Sequence, residues 1–419
     1  MTEAARLYAV GAGKVEITPP LDVPYLSFAP RHSPFVAVHD PLFVRSAVIS
    51  DGKKTAAVTS AEAIGFINSV LGEGRNFTDE VRTRIHQKTG VRKEAVLLAA
   101  AHVHSSPDTL DIRPLRESPG AADWLEGLIE KVALSAEIAK KNMFQAHLKV
   151  AQGEFAGYSR NRRGDDCLDN AVTVLLFESP GSGRKVALVN YACHPVIVQA
   201  QDRISGDYVG VMTSVLERRI PGLEACLFLQ GACGDINPWV NDTRDFADVD
   251  KMGTALGEKV KDILNHISEA DVSAQPVLLN CASEFLALPS RRLPAPEKAK
   301  ALQTSDNRMW LGQELEIRRL EGEGPFPAEI QALRLGNALL AAISGEPFCR
   351  MGKAVREIAA PLIGIPVGYA NGYVGYIVPP EAWNKGGYEV EPGPWSKVGP
   401  ESFPMIMAAF ERLITTLRL

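Results

Sequence analysis

Five short apolar runs constrain this chain more than anything else in it. They cover 96–101, 185–191, 225–230, 338–344 and 363–369, and turn residues close each one. Runs of that length with little polar alternation suit strands buried on both faces better than helices. Helical patterns stand between them at 121–142, 207–219 and 246–267, and an amphipathic stretch at 403–419 closes the chain. A capped helix beginning at Thr78-Asp79-Glu80 and stopping at Gly90 precedes the first run. Residues 43–50 and 55–60 read as strands joined at Asp51-Gly52. The alternation predicts an α/β protein.

Each apolar run ends in a residue able to do chemistry: His102 and His104, then His194, Asp235, Glu346 and Tyr376. Residues i and i+2 of a strand share a face, so His102 and His104 can converge on one point. In α/β proteins, loops gather into a site at the carboxyl ends of strands. The set offers imidazoles, carboxylates and a phenol without a thiolate pair, which is the donor chemistry of zinc or another divalent ion. Glu346 lies between Gly345 and Pro347 after an apolar run, where a buried carboxylate requires a cation or a metal. At this level both His102 and His104 qualify as ligands.

Other function classes fit less well. A net charge of −5 leaves no basic footprint for nucleic acid. No stretch reaches about 18 uninterrupted apolar residues, so no stable membrane insertion is expected. The start, Met-Thr-Glu-Ala-Ala-Arg-Leu-Tyr, has no long apolar segment of a secretion signal. The six cysteines include no Cys-x-x-Cys pair and read as buried thiols, so a cytoplasmic location is expected. Gly11-x-Gly13 lacks the third glycine and following helix of a dinucleotide fingerprint. Gly-x-Ser-x-Gly, Walker and His-Glu-x-x-His motifs are absent.

At these residues the sequence resembles the neutral, non-lysosomal ceramidase family. His102-Val103-His104-Ser105, His194-Pro195 with Ser205-Gly206-Asp207, the loop from Gln230 to Pro238, Gly345-Glu346, and Tyr373-x-x-Tyr376-Ile377 with Tyr388-Glu389 follow the family's blocks in order. The resemblance runs from Gly11 to about Glu389. It implies mixed β-sheets flanked by helices, and one zinc ion held by His102, His194, Glu346 and Tyr376. It sets His104 beside the substrate and implies an amidase that cleaves an N-acyl bond. Two departures stand out. Asn237 replaces the family's loop serine, and the family's immunoglobulin-like C-terminal domain has no counterpart within 1–419. The expectation is therefore a single catalytic domain acting on a smaller or soluble N-acyl substrate.

In the expected chemistry His104 serves as the proton donor, and the loop amides at Gly234-Asp235 with the Asn237 side chain supply further donors. Asp235 or Asp207 is expected to orient the imidazoles. Arg160, Arg162 or Arg163 suits a substrate carboxylate. Ester or lactone hydrolysis at the same site, a non-haem iron centre for oxygen chemistry, and a binding protein without turnover are the alternatives. Residues 289–327 are rich in charge, bounded by proline, and read as a helical insertion or lid. Association into a homo-oligomer is left open.

Overall fold

The computed structural model describes residues 7–23, 34–110, 115–118, 120–243, 245–266, 276–291, 324–391 and 393–418. The chain opens with β1 (Tyr8–Glu16), the two-residue β2 (Ala37–Val38), and a hairpin of β3 (Phe43–Ser50) and β4 (Thr55–Ala61). Helix α1 (Phe77–Thr89) starts where the Asn76 side chain accepts the Asp79 N–H, and stops at Gly90 with φ 73°. It leads into β5 (Val96–Ala100), which lies parallel to β4. Next come α2 (Ala121–Lys141), β6 (Phe144–Glu154), β7 (Ser159–Asn161), β8 (Ala171–Glu178) and β9 (Lys185–Tyr191). The short β10 (Arg203–Ile204), α3 (Asp207–Arg219), β11 (Leu223–Gln230), β12 (Ile236–Pro238) and α4 (Phe246–Asn265) follow.

The large sheet has the order β11-β9-β8-β6-β1-β3-β4-β5. Its interior pairs are antiparallel, and each edge carries one parallel pair, β4 with β5 and β9 with β11. A parallel pair needs a crossover, supplied by α1 at one edge and α3 at the other. The sheet curls so that β11 packs against β3, β4 and β5, and the Ser60 hydroxyl of β4 donates to the Phe228 carbonyl of β11. Two edges far apart in strand order thereby meet.

A second sheet, ordered β13-β14-β15-β17, is made of β13 (Leu279–Leu288), β14 (Phe326–Leu335), β15 (Ala338–Ile343) and β17 (Ile363–Val367). Between β15 and β17 lie β16 (Glu346–Pro347) and α5 (Cys349–Ala359); after them come β18 (Tyr376–Ile377), α6 (Pro380–Trp383) and α7 (Ser402–Arg418). Met351 and Val355 of α5 and Ile406, Phe410 and Leu413 of α7 cover this sheet with an apolar layer of its own. The mixed sheets with flanking helices match the sequence expectation, and all five apolar runs are strands.

Three features differ from it. The polar stretch 158–169, which carries no strand pattern in the sequence, contains β7, whose partner is β12 in the register Ile236↔Asn161. Pairing depends on what lies opposite, so a three-residue polar strand leaves no periodic signal. Strands β13 and β14 went unread because polar residues interrupt both sequences and β13 is a half-exposed edge. The run 363–369 stops pairing at Val367, and Tyr369 turns to φ 54°. The helical or lid reading of 289–327 falls mostly on 292–323, which lie outside the described residues.

Candidate metal centre

Gln230, the last residue of β11, joins the strand ends. Its side-chain amide donates to the Ala101 carbonyl (3.1 Å), just past β5, and to the Cys193 carbonyl (2.9 Å), just past β9. Its own carbonyl accepts the Gly368 N–H (2.9 Å), just past β17. The Ala100 N–H bonds to the Tyr369 carbonyl (3.1 Å), which links the two sheets at the same place. His102, His194 and Glu346 are thus presented from three directions to one buried spot. Strand β16 pairs in parallel with β18, placing Glu346 opposite Tyr376. Gly375 makes that pairing feasible: it has φ 85°, and a Cβ there would stand 2.2 Å from the Trp395 carbonyl oxygen.

Each ligand-type nitrogen is held ready. The Nδ1 of His102 lies 2.6 Å from the Ile64 carbonyl, and the Nδ1 of His194 lies 3.1 Å from the Ile236 carbonyl. A carbonyl can only accept, so both rings carry their proton on Nδ1 and present a bare Nε2. Both Nε2 atoms stand 3.4 Å from the same oxygen, Glu346 Oε2. The His194 Nε2 is buried and has no hydrogen-bond partner. Burial pushes the His102 imidazole well below its ordinary range and the His194 imidazole down to about 3, so both are neutral. The His102 backbone is held at φ 67°, a conformation seldom adopted by a side-chain-bearing residue and often kept at functional sites. Neutral imidazoles with bare nitrogens around a carboxylate fit a divalent ion of the zinc class.

His104 differs from its neighbours. Its Nε2 lies 3.1 Å from that of His102, and the ligand atoms of His102, His104 and His194 all fall within 4.8 Å of one another. It is half-exposed, whereas His102 and His194 are buried. Metal contact and substrate contact both remain within its reach.

The other residues singled out in the sequence are less uniform. Arg162 donates to Glu389 (2.8 Å), the Gly234 carbonyl (2.8 Å), Asn237 Oδ1 (3.2 Å) and the Tyr376 hydroxyl (3.0 Å). It braces the Tyr376 phenol. Despite burial, which works against its charge, Tyr376 and Glu389 keep it protonated. Arg160 donates to Asn241 (2.9 Å). The Asp235 carboxylate accepts the Cys349 N–H (2.7 Å) and the Asn161 amide (2.8 Å), tying α5 to β7. Burial raises it to about 6. Asp207 accepts from the Val198 and Tyr208 N–H groups. The imidazoles are therefore oriented by the Ile64 and Ile236 carbonyls, not by the two aspartates expected for that task. The Gly234 N–H is already committed to the Pro347 carbonyl (2.8 Å) and is no free oxyanion donor.

Two tyrosines escaped the sequence reading. Tyr369 donates to Glu346 Oε2 (3.2 Å) and Tyr373 donates to Glu346 Oε1 (2.5 Å). Tyr373 stood in a motif quoted only for its pattern, and nothing in the sequence aimed Tyr369 at Glu346. Beside the centre, a cavity of about 540 Å³ is lined by Arg162, Arg163, Asp165, Lys385, Tyr388 and Glu389 among others.

Fold and centre together define a mixed α/β protein with a buried imidazole–carboxylate cluster where its two sheets meet. The fold matches that of neutral ceramidase. It is similar to the crystal structure of neutral ceramidase from Pseudomonas aeruginosa, with a TM-score of 0.76 and 20% identity, over 98% of this chain and 74% of that one. It is similar also to a ceramidase complexed with C2, with a TM-score of 0.76 and 19% identity, over 98% of this chain and 75% of that one. No family profile matches the sequence.

Proposed function

We propose that this chain is a zinc-dependent hydrolase of an N-acyl amide bond, with a substrate smaller or more soluble than ceramide. The observation that carries it is the approach of two neutral imidazole nitrogens to one buried carboxylate oxygen, 3.4 Å from each. In this reading His102, His194 and Glu346 hold the ion, with the Tyr376 phenol, steadied by Arg162, as the fourth donor. When bound, zinc acts as a Lewis acid and lowers the pKa of a water it carries to roughly 7.

The remaining tasks fall to the chain. His104 takes a proton from the attacking water and returns it to the amine nitrogen as the C–N bond breaks. Asn237 spends its oxygen on Arg162, leaving its amide hydrogens for a substrate oxygen. Asp235 ties the loop between β11 and β12 to the start of α5. The charged walls of the adjoining cavity, with Arg163, Asp165 and Lys385, favour a polar group over a second lipid tail. Among the described residues, no helix is long and apolar enough to cross a membrane. A cytoplasmic location belongs to the same proposal and is supported by six cysteines that remain thiols.

Metal analysis coupled to a hydrolysis screen of N-acyl amides, from short to long acyl chains and with matched esters, tests the proposal. The purified protein should carry one zinc, and His194→Ala should remove metal and turnover together. A His194→Ala variant with full turnover overturns it.

A further inference from the structure

The carboxylate of Glu346 is shared out atom by atom. Its Oε2 faces both imidazole Nε2 atoms at 3.4 Å and also accepts the Tyr369 hydroxyl at 3.2 Å. Its Oε1 accepts the Tyr373 hydroxyl at 2.5 Å. We propose that Tyr373 and Tyr369 are positioning residues that make Glu346 a one-oxygen ligand. Tyr373 engages Oε1, and Tyr369 holds Oε2 toward the imidazoles. This inference rests on the metal reading above and adds which oxygen binds and what enforces the choice.

The packing around the phenols is consistent with that task. The Tyr369 ring stacks on the His102 ring, with centroids 3.9 Å apart and planes 21° from parallel. Both residues have positive φ, 54° and 67°, so the strand-end backbones are bent to bring the rings together. The Tyr369 hydroxyl has a second neighbour, the Cys233 thiol at 3.2 Å. With Tyr369 donating to the carboxylate, the thiol donates in turn to Tyr369. A merely structural pair of buried phenols would satisfy its hydroxyls on any acceptor. These two converge on the two oxygens of one carboxylate.

The division matters because a carboxylate can bind through one oxygen or two. Binding through both uses an additional coordination position, the one a hydrolase leaves for water. Removing the Tyr373 hydroxyl should let Oε1 swing in, lowering kcat with little change in KM. Losing a partner that orients a metal ligand typically weakens metal binding about 10- to 100-fold.

The test uses the full chain loaded with cobalt(II), whose visible absorption reports coordination number. Its affinity is measured by competition with a chelating dye. Tyr373→Phe should bind cobalt at least about 10-fold more weakly and show the weaker absorption of a higher coordination number. Tyr369→Phe should lose affinity with the wild-type band shape, since the oxygen it supports is already the bound one. Tyr8→Phe, whose hydroxyl bonds the Leu278 carbonyl elsewhere (2.8 Å), should match wild type in both readings. Tyr373→Phe with wild-type affinity and spectrum overturns the proposal alone. A wild-type chain that takes up no cobalt overturns the metal reading as well. If the variant does not fold, a crystal structure of the zinc-loaded wild type decides: Glu346 bound through Oε2 upholds the proposal, and binding through both oxygens ends it.

Discussion

His102 and His104 are two positions apart and do not have the same neighbours. The Nδ1 of His102 is held by a buried carbonyl, and its ring lies under Tyr369. His104 is half-exposed at the edge of the same cluster. In the proposed mechanism this difference in exposure makes His102 a ligand and His104 the residue that meets the substrate. His104→Gln should therefore keep its zinc while turnover drops about 10²- to 10⁴-fold, the usual worth of a general acid–base group. Zinc content and kcat on the same preparation check this, and zinc loss as complete as in His194→Ala would make His104 a third imidazole ligand. Asp207 provides a pH prediction. Burial, with Asp40 adding in the same direction, raises it from 3.8 to about 7. A raised carboxyl binds its proton more tightly in the folded state, so its contribution is fully present below pH 3.8 and is lost as pH rises through about 7. The stability of the metal-free wild type relative to Asp207→Asn should fall from pH 4 to pH 8, by no more than about 1.4 kcal/mol per pH unit. Urea unfolding in chelator at several pH values measures the difference.

At the scale of elements, the end of β11 matters more than the strand itself. Gln230 satisfies the carbonyls past β5 and β9 with one amide, and its side-chain oxygen accepts the Gly231 N–H (3.1 Å). Gln230→Leu keeps the size and strands those buried polar groups. A cost of about 2–4 kcal/mol is expected, since each unsatisfied buried group costs about 1–3 kcal/mol. Urea unfolding should show it. Chelator competition should show weakened metal binding as well, because the imidazoles past β5 and β9 lose their common anchor.

Across the whole molecule, the two sheets are joined by a buried ion pair as well as by the site. Arg82 of α1 donates to Glu329 of β14 at 2.7 Å and to the Val96 carbonyl at 3.1 and 2.8 Å. Both side chains are buried, so removing one charge leaves the other without compensation. Arg82→Met should cost about 3–5 kcal/mol, and adding Glu329→Gln should recover much of it. A double-mutant cycle by chemical denaturation tests the coupling. The metal should stabilise the whole fold too. Zinc at about 100 times its dissociation constant adds about 2.7 kcal/mol to a protein that binds it only when native. A thermal midpoint unchanged between zinc and chelator would show that the native centre does not hold the ion.

The amino-acid sequence alone determined the elements with a strong local signal. The five apolar runs were legible because a strand buried on both faces needs unbroken apolar residues, whatever its neighbours. The convergence of His102, His194 and Glu346 was legible because a polar residue just past such a run has few places to go but the common end of the strands. Strands β7, β13 and β14 were not, since a short or half-exposed strand is defined by its partner more than by its own composition. Only the tertiary structure decided the rest. The carbonyls of Ile64 and Ile236 orient the imidazoles, Arg162 braces Tyr376, and Tyr369 and Tyr373 divide one carboxylate. Those are contacts between atoms brought together by the curl of one sheet and its junction with another, and no spacing along the chain encodes them.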